Sequence, residues 1–341
     1  MKSDNPAATP VAEIPANPSA DNTHFLSGML TKCRTFIRAV PGTGRSEFKL
    51  GITLALLAAL GFSMKAVFVK LAYESAKVDA ITLLTLRMGL SLPIFLLMSR
   101  GAFSSLRQLS RADQLRILFL GMIGYYGSSL LDFMGLAYIS AGLERLILFT
   151  YPSITVLLGV MFMGKKLEKR ILLALLLSYA GIALGFLHDA SVTSDKIALL
   201  TGSGLVLGCA VFYAIYSAGS ESVIRKLGAA RFTALALTVT SLTTFAHFLI
   251  ARPVSALNLP RQVYGYSSAM AIFSTVLPIF WQASAVRYIG AERAVLVATL
   301  GPMLTILLSW LMLGEPVSVA QLAGTVLVVG GVMLVGKSKS K

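Results

Sequence analysis

The chain has 341 residues, 56% of them hydrophobic and only 13% charged, with a mean hydropathy of +0.77; a soluble domain carries about 25% charged residues, so a soluble globule is excluded. The apolar residues fall in runs of roughly 20, the length a bilayer core about 30 Å thick requires. A net charge of +15 does not point to nucleic acid, because the basic residues stand between the runs, where the positive-inside rule places them.

Residues 1–24 are rich in Pro, Ala, Asn and Asp and read as a disordered tail, with too little apolar surface to offset the cost of ordering. From Phe25 to Val40 apolar side chains recur at helical spacing, with Lys32, Arg34 and Arg38 between them. That pattern predicts an amphipathic helix at 25–40 on an anionic membrane surface, the alternative being a disordered basic leader. The first long apolar run begins only near Leu50, so the tail 1–49 is read as cytoplasmic and not as a cleaved secretory leader. PGTGRS at Pro41 to Ser46 lacks the Gly-Lys-Ser/Thr ending and the preceding strand of a phosphate loop.

Ten spans follow, at 50–73, 80–99, 115–136, 142–163, 171–187, 197–219, 232–251, 264–286, 293–313 and 320–336. The expected class is an all-α polytopic membrane protein. Loops on one side collect Arg100, Arg107, Arg111 and Arg116, then Lys165, Lys166, Lys169 and Arg170, then Arg225, Lys226 and Arg231, then Arg287. The other side holds only Lys77, Lys196, Arg252 and Arg261. Both termini are therefore expected in the cytoplasm. Cys33 and Cys209 form neither a disulfide framework nor a metal-ligand spacing.

A shift of 150 residues superposes the two halves: Tyr138, Ile139, Ala141, Pro152, Gly164 and Gly181 match Tyr288, Ile289, Ala291, Pro302, Gly314 and Gly331. Five spans per copy is an odd number, so the second copy, 197–336, is expected upside down relative to the first, 50–187. Charge agrees: GKKLEKR after the first copy's fourth span is basic, whereas its counterpart GEPVSV carries only Glu315. Inverted repeats are a mark of secondary transporters, in which one bundle rocks against the other.

With YISAGLERLILFTYP at Tyr138 to Pro152, YIGAERAVLVATLGP at Tyr288 to Pro302, LMLGEP at Leu311 to Pro316 and GTVLVVGGV at Gly324 to Val332, the chain resembles the drug/metabolite transporter superfamily, specifically its ten-span EamA-type members. The resemblance runs from about Leu50 to Gly336 and leaves the substrate open. Such proteins often carry a Trp-Gly-Ser/Asn turn in the first span with a Lys eight residues on. Here Phe62 stands at the Trp position and Lys70 at the Lys, Lys65 is additional, and Lys165 stands in the first copy where Glu315 stands in the second.

Charged side chains within a span cost roughly 2.5–3.5 kcal/mol each at its centre, which makes Lys65, Lys70, Arg87, Asp132, Glu144 and Arg145 the functional candidates. Lys65 lies about 22 Å along its helix from Leu50, and Arg87 and Asp132 also fall in the outer halves of their spans, so the three are expected to face one cavity. The matched positions in the second copy, Ile215, Leu237 and Gln282, are neutral. The site is therefore expected against the first half, lined by Tyr125, Tyr126, Tyr151, Tyr213, Tyr216, Trp281 and Gln282.

Lys65 and Asp132 fit either a structural ion pair or substrate binding, with Asp132 as the coupling residue; Arg87 fits either helix bonding or ligand binding. Lys70, Glu144 and Arg145 are expected near the outer interface, snorkelling or paired. His247 stands alone in its span. Pro152 and Pro302 are matched candidate hinges, and the pairs Gly121 and Gly124, Gly181 and Gly185, and Gly204 and Gly208 are expected at close helix contacts.

No Walker motif, metal-ligand set or catalytic triad stands in the sequence, which argues against an enzyme and against a cofactor. The expected function is secondary active transport in a bacterial inner membrane, exporting a small metabolite such as an amino acid or other carboxylate-bearing solute by alternating access. A sugar-phosphate or nucleotide-type antiporter, with Lys65, Lys70 and Arg87 gripping phosphate, is one alternative; a non-transporting scaffold recruiting partners through its tail is another. The expected partners are a small-molecule substrate and the lipid bilayer, with a homodimer as a further candidate and no nucleic acid.

Overall fold

The computed structural model describes residues 45–163 and 169–337. Residues 1–44 of the tail, with the helix expected at 25–40, and the loop residues Lys165 and Lys166 lie outside the described residues; residues 45–49 open the first helix. The chain divides between Glu47 and Phe48, and the packing below is that of the unit beginning at Phe48.

In the first half, α1 is Arg45–Ser75 and α2 is Ala80–Arg107. Helix α3 runs through Arg111–Leu120, Gly121–Gly127 and Ser128–Leu136. Helix α4 is broken into Ala141–Leu148 and Tyr151–Met163, and α5 is Lys169–Val192. In the second half, α6 is Lys196–Leu227 and α7 is Ala229–Ala251. Helix α8 joins Arg261–Ala271, Ile272–Val276 and Leu277–Ile289; α9 is broken into Ala291–Ala298 and Gly301–Leu313; α10 is Val319–Lys337. Among the described residues nine helices are long and apolar enough to cross a membrane, and α10 supplies a tenth, shorter apolar stretch, Val319–Leu334.

Apolar runs make these helices and short polar caps start them. Asp79 opens α2 by accepting the N–H groups of Ile81 and Thr82. Ser140 opens α4 by accepting that of Leu143, and Asp195 opens α6 by accepting that of Ala198. Before α7 and α9 stand instead Gly228 and Gly290, at φ of 81° and 83°, where a residue with a Cβ would be strained.

The repeat is written in the element boundaries. Adding 150 to Arg111, Ala141, Tyr151 and Lys169, where first-half segments begin, gives Arg261, Ala291, Gly301 and Val319, where second-half segments begin. Helices α3 and α8 each contain a widened turn, bonded five residues back from Ser128 to Ile123 and from Leu277 to Ile272. Pro152 and Pro302 stand at the second position of the half-helices that follow the breaks. There a missing N–H interrupts no hydrogen bond.

Inversion can be read from neighbours. Helices α1 and α3 run parallel, since Lys65 meets Asp132 and, further along both, Lys70 meets Ile139. Helices α3 and α6 run antiparallel: Gly124 lies on Tyr216, while Gly135, further along α3, lies on Gly202 and Val206. Because α6 is the copy of α1, the second copy is upside down. Matched contacts repeat the relation. Gly51 lies against Tyr288 and Ile289, as Gly202 lies against Tyr138 and Ile139; Gly181 meets Gly324 and Val328, as Gly331 meets Ala174 and Ser178. These last contacts form the α5–α10 seam, where small residues let two backbones approach. Gly204 departs from expectation, because nothing lies within 4 Å of the Cβ it lacks.

The connections gather at two ends. At one, Arg252 pairs with Asp79 at 3.2 Å and Ser140 Oγ donates to Asp189 at 2.6 Å. At the other, Lys226 pairs with Asp113 at 2.6 Å and Arg116 donates to Ser222 at 2.8 Å.

Candidate functional site

The charges of the first half meet one to two turns beneath the Asp79–Ser140 end. Lys65 Nζ, on α1, lies 2.6 Å from Asp132 Oδ2 on α3 and 3.5 Å from Glu144 Oε1 in the first turn of α4. Arg145 Nε lies 3.7 Å from Glu144 Oε2, and its guanidinium donates to the Phe62 carbonyl at 2.9 Å. Two cations and two anions thus form one network. Glu144 is fully buried and Arg145 nearly so; of the two expectations for them, snorkelling or pairing, the structure shows pairing, each neutralising the other inside the bundle.

Lys70 stands higher on α1. It donates to the Ile139 carbonyl at 2.9 Å and pairs with Glu315 at 3.4 Å. Glu315 reaches across from the α9–α10 loop to accept the Ala141 N–H, with its two oxygens at 3.3 and 3.2 Å. A carboxylate at a helix N-terminus is favoured by the dipole as well as by the bond. The residue that sequence reading treated as a marker of loop location therefore caps α4 from the opposite repeat. Nothing in its local sequence signals this, because the contact joins residues 174 apart.

Arg87 is separate. Its Nε donates to Thr275 Oγ1 at 2.8 Å, and its guanidinium carbon lies 5.5 Å from the centre of the Phe133 ring, an arrangement that suits a cation. Thr275 belongs to the widened turn of α8, which re-aims its side chain toward α2; sequence reading missed it. Arg87 is buried, makes no ion pair among the described residues, and its NH1 has no hydrogen-bond partner. Lys65 and Asp132 come together as a pair, whereas Arg87 stands behind Phe133, the residue next to Asp132.

Four of the expected tyrosines form an aromatic ladder. Ring centres are 4.9 Å apart for Tyr125 and Tyr216, 5.6 Å for Tyr213 and Tyr216, and 4.7 Å for Tyr151 and Tyr213. Tyr126 turns away to hydrogen-bond His247 Nδ1, so that histidine is not alone. Trp281 and Gln282 are half-buried near the far end of α8, with Gln282 the repeat mate of Asp132.

A cavity of about 360 Å³ at the Asp79 end is lined by Tyr73, Asp79, Met134 and Tyr138. A second, of about 240 Å³, is lined by Lys70, Tyr138, Asp189, Glu315 and Gln321 among others. Neither is lined by Lys65, Arg87 or Asp132.

Comparison with known proteins agrees with this architecture. The model of the EamA-like transporter family matches the chain twice, over residues 49–187 and 200–337. The chain is similar to a protein of Bacillus subtilis (strain 168) named uncharacterized transporter YyaM, with 27% identity over 254 residues, 72% of this chain and 81% of that protein. It is also similar to uncharacterized transporter YcbK of the same organism, with 27% identity over 300 residues, 85% and 92% of the two chains. A solved crystal structure superposes with a TM-score of 0.59 at 17% identity, covering 83% of this chain and 95% of the other; that likeness is one of fold.

Proposed function

The chain belongs to the EamA-like transporter family, and from that membership and the geometry above we propose that it is a secondary active transporter that exports a small carboxylate-bearing solute, such as an amino acid, by alternating access in a bacterial inner membrane. The observation that carries the substrate class is Arg87, a buried guanidinium whose NH1 is left without a partner. A buried cation is costly without an anion, and a guanidinium fork matches a carboxylate. Lys65 and Lys70 are already held by Asp132 and Glu315. One cation without an ion pair among the described residues suits the single charge of a carboxylate better than the double charge of a phosphate, which supports the amino-acid reading over the phosphate antiporter. The ladder of Tyr125, Tyr151, Tyr213 and Tyr216 supplies an aromatic wall. Gradient energy enters through the acidic pair of the buried network, Asp132 and Glu144, as an exchanged proton. Arg116, Lys226 and Arg231 gather at the end opposite Asp79 and Ser140, which supports a cytoplasmic position for that end and for both termini.

The test is a thermal-shift screen of the purified full-length protein against amino acids, hydroxy acids and phosphorylated metabolites, since a ligand stabilises the state it binds. A carboxylate-bearing solute should raise the Tm, and Arg87→Leu should abolish that rise while leaving the unliganded Tm at or above the wild-type value. A rise with phosphorylated metabolites alone would overturn the carboxylate reading in favour of the antiporter. Uptake of the hit into inside-out vesicles then checks the direction of transport.

A further inference from the structure

The buried network holds more acceptor atoms than donors can satisfy. Asp132 Oδ1 and both oxygens of Glu144 are buried with no hydrogen-bond partner, although Asp132 Oδ2 receives Lys65 at 2.6 Å. The carboxyl groups of Asp132 and Glu144 converge on one ammonium, that of Lys65, at 2.6 and 3.5 Å. Two carboxylates in that position only accept and cannot bond to one another; a single proton on either one turns the contact into an O–H···O hydrogen bond and relieves like-charge repulsion.

The two acids are not equivalent. Lys65 is 0.9 Å nearer to Asp132 than to Glu144, by the difference of 3.5 and 2.6 Å, and makes a hydrogen bond only to the former. Arg145, which flanks Glu144, spends its hydrogen bond on the Phe62 carbonyl. Among the described residues, the other titratable and polar groups around the start of α4 donate no hydrogen bond to Glu144. Helix α6 contributes Cys209, a free buried thiol. Helix α5 contributes Asp189 and α10 contributes Gln321, joined to each other, with Asp189 also holding Ser140. The α9–α10 loop contributes Glu315 on Ala141 N–H.

Resting on the proton-coupled reading above, we propose that Glu144, and not Asp132, is the residue that takes up and releases the exchanged proton. A proton joins one Glu144 oxygen to give a neutral acid, which donates to Asp132 Oδ1 while Lys65 stays on Asp132 Oδ2. On release, Lys65 closes the gap to Glu144 and bridges two carboxylates. Lys65, the most exposed member of the network at 15%, is the group that moves, and Asp132 is its fixed anchor. The change of hydrogen bonding ties α1, α3 and α4 together in one proton state and redistributes their contacts in the other.

The test needs no known substrate. Infrared difference spectra of the full-length protein in lipid nanodiscs, recorded across a pH series, read the carbonyl stretch of buried protonated carboxyl groups. Wild type should show a titrating band. Glu144→Gln should lose it, and Asp132→Asn should retain it with a midpoint at lower pH, because Lys65 is then free to hold Glu144 ionised. Should Glu144→Gln fail to fold, Glu144→Asp must move the midpoint; an unmoved midpoint overturns the assignment. A band that survives Glu144→Gln and vanishes in Asp132→Asn overturns the assignment to Glu144 while leaving proton coupling standing. Absence of any titrating band in wild type overturns proton coupling itself.

Discussion

At matched positions the first repeat carries Lys65, Arg87, Asp132, Glu144 and Arg145, where the second carries Ile215, Leu237, Gln282, Ala294 and Val295. The two copies nevertheless begin their segments in one register and break at the same places. The comparison separates two demands on a membrane helix bundle. Apolar runs, matched breaks and small-residue contacts suffice for the fold, so the charges of the first copy answer to something else. Their cost falls on stability, since breaking a buried pair leaves a lone charge in a poorly solvating interior.

Transplanting second-half residues into the first half tests this. The largest effect is expected for Lys65→Ile, which strands Asp132 and Glu144 without their lysine and should destabilise by about 3–5 kcal/mol, seen as loss of folded protein in detergent. Adding Asp132→Gln should recover most of that loss, because both members of the closest pair then match the neutral copy. If the double variant is no better than the single one, the charges are part of the scaffold. Next comes Gly181→Leu at the α5–α10 seam, expected to cost roughly 1–3 kcal/mol by overpacking, against no more than about 0.5 kcal/mol for Gly204→Leu on the open face of α6. Equal Tm values for these two would remove the seam from the account.

A smaller effect belongs to Asp79, whose mate is Ala229. Partial burial raises the Asp79 pKa, but the Thr82 hydroxyl and N–H and the Arg252 guanidinium outweigh it and hold the carboxyl below its ordinary value. A folded-state pKa below the unfolded one means stability that is present above the unfolded value and lost as pH falls through the folded one. Asp79→Ala should therefore destabilise the fold at neutral pH by about 1 kcal/mol for a lost cap, read as a lower Tm, with the difference from wild type shrinking in acid. A constant difference across that range would exclude the linkage.

Much of the fold is legible in the sequence because its determinants are local or periodic: apolar runs define helices, and a fixed offset exposes the copies. Inversion followed from parity and loop charge. The network was half legible. Charges within spans announce themselves by their rarity, which singled out Lys65, Asp132 and Arg87. What they touch does not follow from spacing. Glu144 and Arg145 stand near a helix start, where exposure and burial look alike in a sequence, and only the packing of α1 and α3 over that first turn decides between them. Thr275 and Glu315 owe their roles to contacts spanning 188 and 174 residues, and no local pattern encodes those.

The seam where Gly181 and Gly324 abut has one more consequence. At that point the two rods meet main chain to main chain, with Val328 and Leu327 wedged against Gly181 beside the contact, so the spacing between them is set by a methyl group that is not there.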